Sequence, residues 1–129
     1  MNLLDENFPE DQLPLLKECR VPFRRLGFDV ARLGIKDADI LPLLHALRRV
    51  TFFTQDKDFF RSALCHSAYG LVWLDVDADD TALHVRRLLR HPRFGTGARR
   101  MGLVLRAHPG GVHFWSRHRG PLERVAWVD

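Results

Sequence analysis

The chain has 129 residues and a net charge of +4, with 46% hydrophobic and 28% charged residues. That length predicts one domain over residues 1–129, able to bury about two-thirds of its unfolded surface without disulfides or metal to hold it. It contains no apolar run near the roughly 20 residues a membrane span needs, and the first residues lack the basic and apolar regions of a signal peptide, so a cytoplasmic protein with no membrane partner is expected.

Charge is unevenly spread. Residues 1–80 hold 14 acids against 10 Lys and Arg, a balance of −4, while residues 81–129 hold 2 acids against 10 arginines, a balance of +8. A basic half suits a polyanionic partner, because the guanidinium fork matches phosphate oxygens. Arginine makes up 17 of the 20 basic residues, so genome composition alone also explains the excess. Cys19 and Cys65 have no CxxC spacing and read as small buried hydrophobes in a reducing compartment.

In chain order, Asn2 to Asp5 predicts a short strand ending on acids. Pro9 opens a helix to about Arg20, where proline is tolerated in the first turn. Val21 to Leu26 reads as a second strand and 27–35 as a loop. Ile40, Leu43, Leu44 and Leu47 recur at i, i+3, i+4 and i+7, predicting a helix over about 38–47 with Asp37 or its neighbour as cap. Val50 to Phe53 is a short β-rich run of the kind buried in parallel sheets. A short helix follows near Asp58 and Phe59, then a strand over Leu71 to Leu74.

Asp77, Asp79 and Asp80 precede a helix over Thr81 to Leu89, where the macrodipole favours anions. Strands are expected over 103–107, 112–115 and 124–128, with Pro109-Gly110-Gly111 as a turn. Alternating strands and helices imply an α/β fold with a mostly parallel sheet. Sites in such sheets form beyond the carboxyl ends of strands.

Asp5 and Asp56 are expected at two such ends. With Asp37 or Asp39 and with Asp58, they make a set of acids in loops and helix starts. Gathered carboxylates repel unless a cation joins them, and hard ions such as Mg²⁺ and Mn²⁺ take oxygen ligands. Those ions assist phosphodiester cleavage. The competing explanation is helix capping, which accounts for Asp37, Asp39 and Asp58 taken singly but not for Asp5 at a strand end.

Three segments together resemble a small bacterial PIN-like family. Leu3-Leu4-Asp5-Glu6-Asn7 with Pro9 is similar to its LLDEN-x-P opening. Asp37-Ala38-Asp39-Ile40-Leu41 is similar to its D-x-x-I-L helix start, and Thr54-Gln55-Asp56-Lys57-Asp58-Phe59 to its T-x-D-x-D-F signature. They occur in the family's order over residues 2–90.

The resemblance implies a three-layer α/β/α sandwich around a parallel sheet and an acidic pocket like that of PIN ribonucleases, some of them toxins of toxin–antitoxin pairs. Residue by residue it implies Asp5, Asp37, Asp56 and Asp58 as catalytic and metal-binding acids, with Thr54 orienting a carboxylate or water. It also implies Mg²⁺ or Mn²⁺ as cofactor, RNA as substrate, and a small antitoxin as partner; a homodimer is compatible with it. The segment 21–34 departs from the family, with Gly27-Phe28-Asp29-Val30 an echo of its usual pattern, and 108–118 has no counterpart in it.

His108, His113 and His118 repeat every five residues, which fits no zinc motif and would alternate faces on strands. They read as surface or turn residues. His66 follows the signature closely enough to line the pocket, although a structural role is simpler. Arg86, Arg87, Arg90, Arg99 and Arg100 read by default as solvated, or as a basic rim for a phosphodiester. Trp73, Trp115 and Trp127 are expected in strands, with Trp115 the best stacking platform for a base.

Two other classes fit the composition. One is a non-catalytic PIN-like module that binds a protein or nucleic acid. The other is a phosphatase- or receiver-like protein, which needs a lysine at a later strand end; Lys17, Lys36 and Lys57 are poorly placed for it.

Overall fold

In the central strands, consecutive apolar residues leave the backbone in opposite directions, because side chains alternate with a period of two. The computed structural model, which describes residues 1–128, shows where they go. β1 (Asn2–Leu4), β3 (Val50–Thr54), β4 (Tyr69–Leu74) and β5 (Val104–His108) run side by side and parallel. Leu3, Phe52, Leu71 and Val104 form one row across the sheet, in a core cluster with Ile40 and Leu44 of α2 (Asp37–Leu47). Leu4, Phe53, Val72 and Leu105 form the next row, in a second cluster. That cluster takes Leu16 of α1 (Leu13–Glu18) and Val85 and Leu88 of α3 (Thr81–Arg90).

Seven strands make the sheet, in the order β2-β1-β3-β4-β5-β6-β7, with β2 being Arg24–Arg25, β6 Gly111–Trp115 and β7 Glu123–Val125. β2 to β5 are joined in parallel, and β6 and β7 add as antiparallel neighbours. The fold is therefore α/β with a mostly parallel sheet. The chain leaves β1 toward β2 on one side and continues from β3 toward β4 on the other. The β1/β3 boundary is thus the topological switch point, where crevices open beyond strand ends. Among the described residues, no helix is long and apolar enough to cross a membrane.

Several expected elements differ. The helix expected from Pro9 to Arg20 is a 3-10 turn at Glu10–Gln12 followed by α1, with Pro14 in its first turn. The strand expected over 21–26 contracts to two residues at the sheet edge, where Pro22 lacks a ladder donor. α2 begins at Asp37 itself, with Lys36 in the cap position. The expected strand 124–128 ends at Val125, because the chain leaves the ladder: Trp127 Nε1 donates to His108 O at 2.7 Å, and His91 Nε2 lies 2.9 Å from Ala126 O. Trp127 is therefore not on a strand.

A short helix, α4 (Gly97–Arg100), was not expected, and Arg100 is buried rather than solvated. Its guanidinium donates to Thr51 Oγ1 at 2.9 Å and to Phe94 O at 2.7 Å. It knits the amino ends of the strands together, the end of the sheet opposite the acids. Cys19 and Cys65 are free and half-buried.

A candidate acidic site at the carboxyl ends of β1 and β3

Asp5 follows β1 directly, and its N–H donates to Phe53 O of β3 at 2.9 Å, extending the ladder by one step. Its carboxylate lies on the α2 side of the sheet by the same alternation that places Leu3 there. Thr54, the last residue of β3, is buried and donates its hydroxyl hydrogen to Asp5 Oδ2 at 2.7 Å. The same hydroxyl oxygen accepts the Asp56 N–H at 3.0 Å. One threonine thus fixes two of the predicted acids.

Asp56 turns back on its own loop. Its Oδ1 accepts the Asp58 N–H at 2.9 Å and caps the 3-10 turn Lys57–Phe59. Sequence reasoning gave the cap role to Asp58; extended backbone at Asp56 instead aims its carboxylate over the turn. Asp37 stands in the first turn of α2, where a carboxylate interacts well with the helix dipole.

Asp5, Asp37 and Asp56 line one pocket of about 350 Å³, together with Glu6, Asn7, Phe8, Thr54 and Gln55. Asp58 lies outside it. It lines an adjoining pocket of about 270 Å³ that also touches Asp37, Asp56 and Arg61. Asp39, the alternative helix acid, is exposed on α2 and lines neither pocket. Glu6 is the acid that the site assignment left out: its Oε2 accepts the Gly34 N–H at 2.7 Å and pins the loop from 27 to 35. Gly27, at φ +86°, leaves room for that side chain, since a Cβ there would sit 2.9 Å from Glu6 Oε2. The adjacency of Glu6 to Asp5 was the available signal.

Burial pushes the Asp5 carboxyl above its ordinary value. The Thr54 hydroxyl and the Glu6 N–H pull it down, while the negative charges of Glu6 and Asp37 push it up. Among the described residues, no lysine, arginine or histidine lines the pocket that holds Asp5, Glu6, Asp37 and Asp56. The donors are all oxygens, the set that hard divalent ions prefer. Among the described residues, no three His, Cys, Asp or Glu side chains are already close enough to hold a metal ion by themselves. The set fits Mg²⁺ or Mn²⁺ held by one or two carboxylates with water filling the other positions, the usual habit of Mg²⁺.

Other predicted residues fall elsewhere. His66 is not in the acidic pocket; it lines another with His45, Arg48 and Arg49 at the opposite end of the sheet. His108 and His113 do not alternate faces. The β5–β6 hairpin pairs His108 with Gly111 and Arg106 with His113, which returns both imidazoles to one side with ring centroids 4.6 Å apart. The Pro-Gly-Gly turn between them was the signal for this. Trp73 and Trp115 lie on strands, half-buried, with Phe60 against both at 5.6 and 4.5 Å. β4 and β5 end in Leu74 and His108, so no lysine is supplied there for a receiver-like site.

An acidic pocket at the switch point of a mostly parallel sheet defines an α/β protein with a candidate cation site. Compared with known protein families, with curated proteins and with solved structures, the chain matches none.

Proposed function

We propose that this chain is a metal-dependent ribonuclease of PIN-like type, built as a three-layer α/β/α sandwich and acting on RNA in the cytoplasm. The observation that carries the proposal is the pocket in which carboxylates from the end of β1, the start of α2 and the loop after β3 meet with no basic residue among them. Asp5 and Asp56 are half-buried and Asp37 is exposed beside them; negative charges gathered without a counter-charge are costly, so such a pocket favours a cation.

Asp5, Asp37 and Asp56 would hold Mg²⁺ or Mn²⁺, directly or through water. When bound, such an ion neutralises charge developing on a phosphodiester and lowers the pKa of a bound water. The chain's own residues do the positioning. Thr54 orients Asp5 through Oδ2. The Asp58 N–H occupies Asp56 Oδ1 and leaves Oδ2. Asp58, on the far side of Asp56, would complete the site or position the attacking water. The basic C-terminal half would hold the RNA backbone. The same proposal makes the chain a candidate toxin restrained by a small antitoxin.

A second reading is a non-catalytic PIN-like module that uses this surface to bind a protein or nucleic acid. The engagement of Asp56 as a cap favours it, since a capping oxygen is a poorer ligand. Incubating the protein with mixed RNAs and Mn²⁺, beside Asp5→Asn and Asp56→Asn, separates the two. Cleavage lost in both variants is the expected result; equal cleavage by all three proteins, or by none, would sink the ribonuclease.

A further inference from the structure

A second row of side chains crosses the sheet on the α2 side, one step beyond Leu3, Phe52 and Leu71. Register places Thr54, Trp73, Arg106, His113 and Arg124 next to one another on β3, β4, β5, β6 and β7. Strands lie about 4.8 Å apart, so His113 is about 14 Å from Thr54. The row runs from the acidic pocket toward the antiparallel edge of the sheet. At that edge His108, His113 and Arg124 line a pocket of about 230 Å³, in which no acid among the described residues takes part.

Hydrogen bonds fix what the two imidazoles present. The Gly110 N–H donates to His108 Nδ1 at 3.2 Å. Arg106 Nη1 lies 3.2 Å from His113 Nδ1, and a guanidinium can only donate. Both Nδ1 atoms therefore accept, and each imidazole carries a hydrogen on Nε2. His108 Nε2 is buried and has no hydrogen-bond partner among the described residues. A buried donor without an acceptor is costly and uncommon in folded proteins. Arg106 is already occupied, since its Nε and Nη2 lie 2.8 and 2.7 Å from Asp75 Oδ2. Arg124 is exposed and is the cation the pocket has to offer.

We propose that His108, His113 and Arg124 form a phosphate-binding pocket on the antiparallel half of the sheet. The His113 Nε2 hydrogen and the Arg124 guanidinium, with the unpartnered His108 Nε2 hydrogen beside them, suit the acceptor oxygens of a phosphate group. Burial holds both imidazoles below their ordinary value. The Arg106 charge adds to this at both, His113 lowers His108 further and Arg124 lowers His113 further, with Asp75 opposing at His108. They are thus neutral donors at pH 7. The phosphate comes either from free phosphate or from the backbone of an RNA strand that also reaches the acidic pocket. Only the strand as source rests on the ribonuclease proposal.

The test is ¹H–¹⁵N correlation of the histidine side chains in full-length protein without divalent metal. Inorganic phosphate, a short single-stranded RNA and sodium chloride of equal ionic strength are titrated separately. Saturable movement of the His108 and His113 Nε2 signals with phosphate but not chloride is expected, and Arg124→Ala is expected to weaken it about tenfold. Movement of the same signals with RNA assigns the pocket to strand phosphates; movement with phosphate alone assigns it to the free ion. The proposal is overturned if neither ligand moves them, if chloride moves them equally, or if Arg124→Ala leaves the affinity unchanged. Because no metal and no acid of the other pocket takes part, a null result here leaves RNA cleavage to be judged separately.

Discussion

Thr54 and Asp5 are joined side chain to side chain, the hydroxyl donating to Asp5 Oδ2 at 2.7 Å across 49 residues of sequence. The pair sits where the chain's direction through the sheet reverses, and Thr54 also holds the Asp56 N–H. Two acids depend on one buried hydroxyl.

Thr54→Val keeps the shape and removes that hydroxyl. It leaves a half-buried carboxylate oxygen and an amide without their partner, which costs about 1–3 kcal/mol. The urea midpoint should fall with the slope unchanged. Losing the hydroxyl also removes an influence that lowers the Asp5 pKa, so the acid limb of any Asp5-dependent activity should move to higher pH.

Asp5→Asn should raise the melting temperature at pH 7 in the presence of a chelator. The folded carboxyl holds its proton to a higher pH than the unfolded one, whose ordinary value is 3.8. Between those values the folded state binds more protons, so wild-type stability falls as pH rises through them. The penalty is complete above the folded value and absent below the unfolded one. Asparagine avoids it and still accepts from Thr54. The gain should shrink as the pH approaches 3.8, and thermal melts across that range check it.

Gln12 is buried, and its Oε1 accepts the Ala82 N–H at 3.1 Å, satisfying an amide at the start of α3 from 70 residues away. Gln12→Ala should cost about 1–2 kcal/mol, the loss of a cap plus an unpaired buried donor. Chemical denaturation measures it.

Short-range chemistry carried much of the fold into view. The run Val50 to Phe53 is a central strand because both its faces are buried, and the spacing of Ile40 and Leu44 marks the face that α2 buries. Asp5 and Asp56 were placed at strand ends because a β-rich run stops just before each. What the sequence hid depends on partners far along the chain. Arg100 looks solvated until Thr51 and Phe94 O are brought to it. Asp58 reads as the cap until the extended backbone at Asp56 gives that role to Asp56. Gln12 as the cap of α3 has no local signature at all.

Gly70 shows the same dependence. A Cβ there would stand 2.6 Å from Arg100 O, a backbone atom held by the α4 turn. Gly70→Ala should cost about 2–3 kcal/mol by overpacking. It lies away from the acids, so on the proposed ribonuclease reading RNA cleavage per folded molecule should be unchanged, and comparing cleavage with the folded fraction checks both halves.

On the proposed reading, Asp5, Asp37 and Asp56 act on one divalent ion, directly or through water. Calorimetric titration of Mn²⁺ into wild type, Asp5→Asn and Asp56→Asn tests it most directly. One saturable site in wild type, weakened at least tenfold in each variant, is predicted. Absence of binding to wild type, or equal binding by all three, would contradict it.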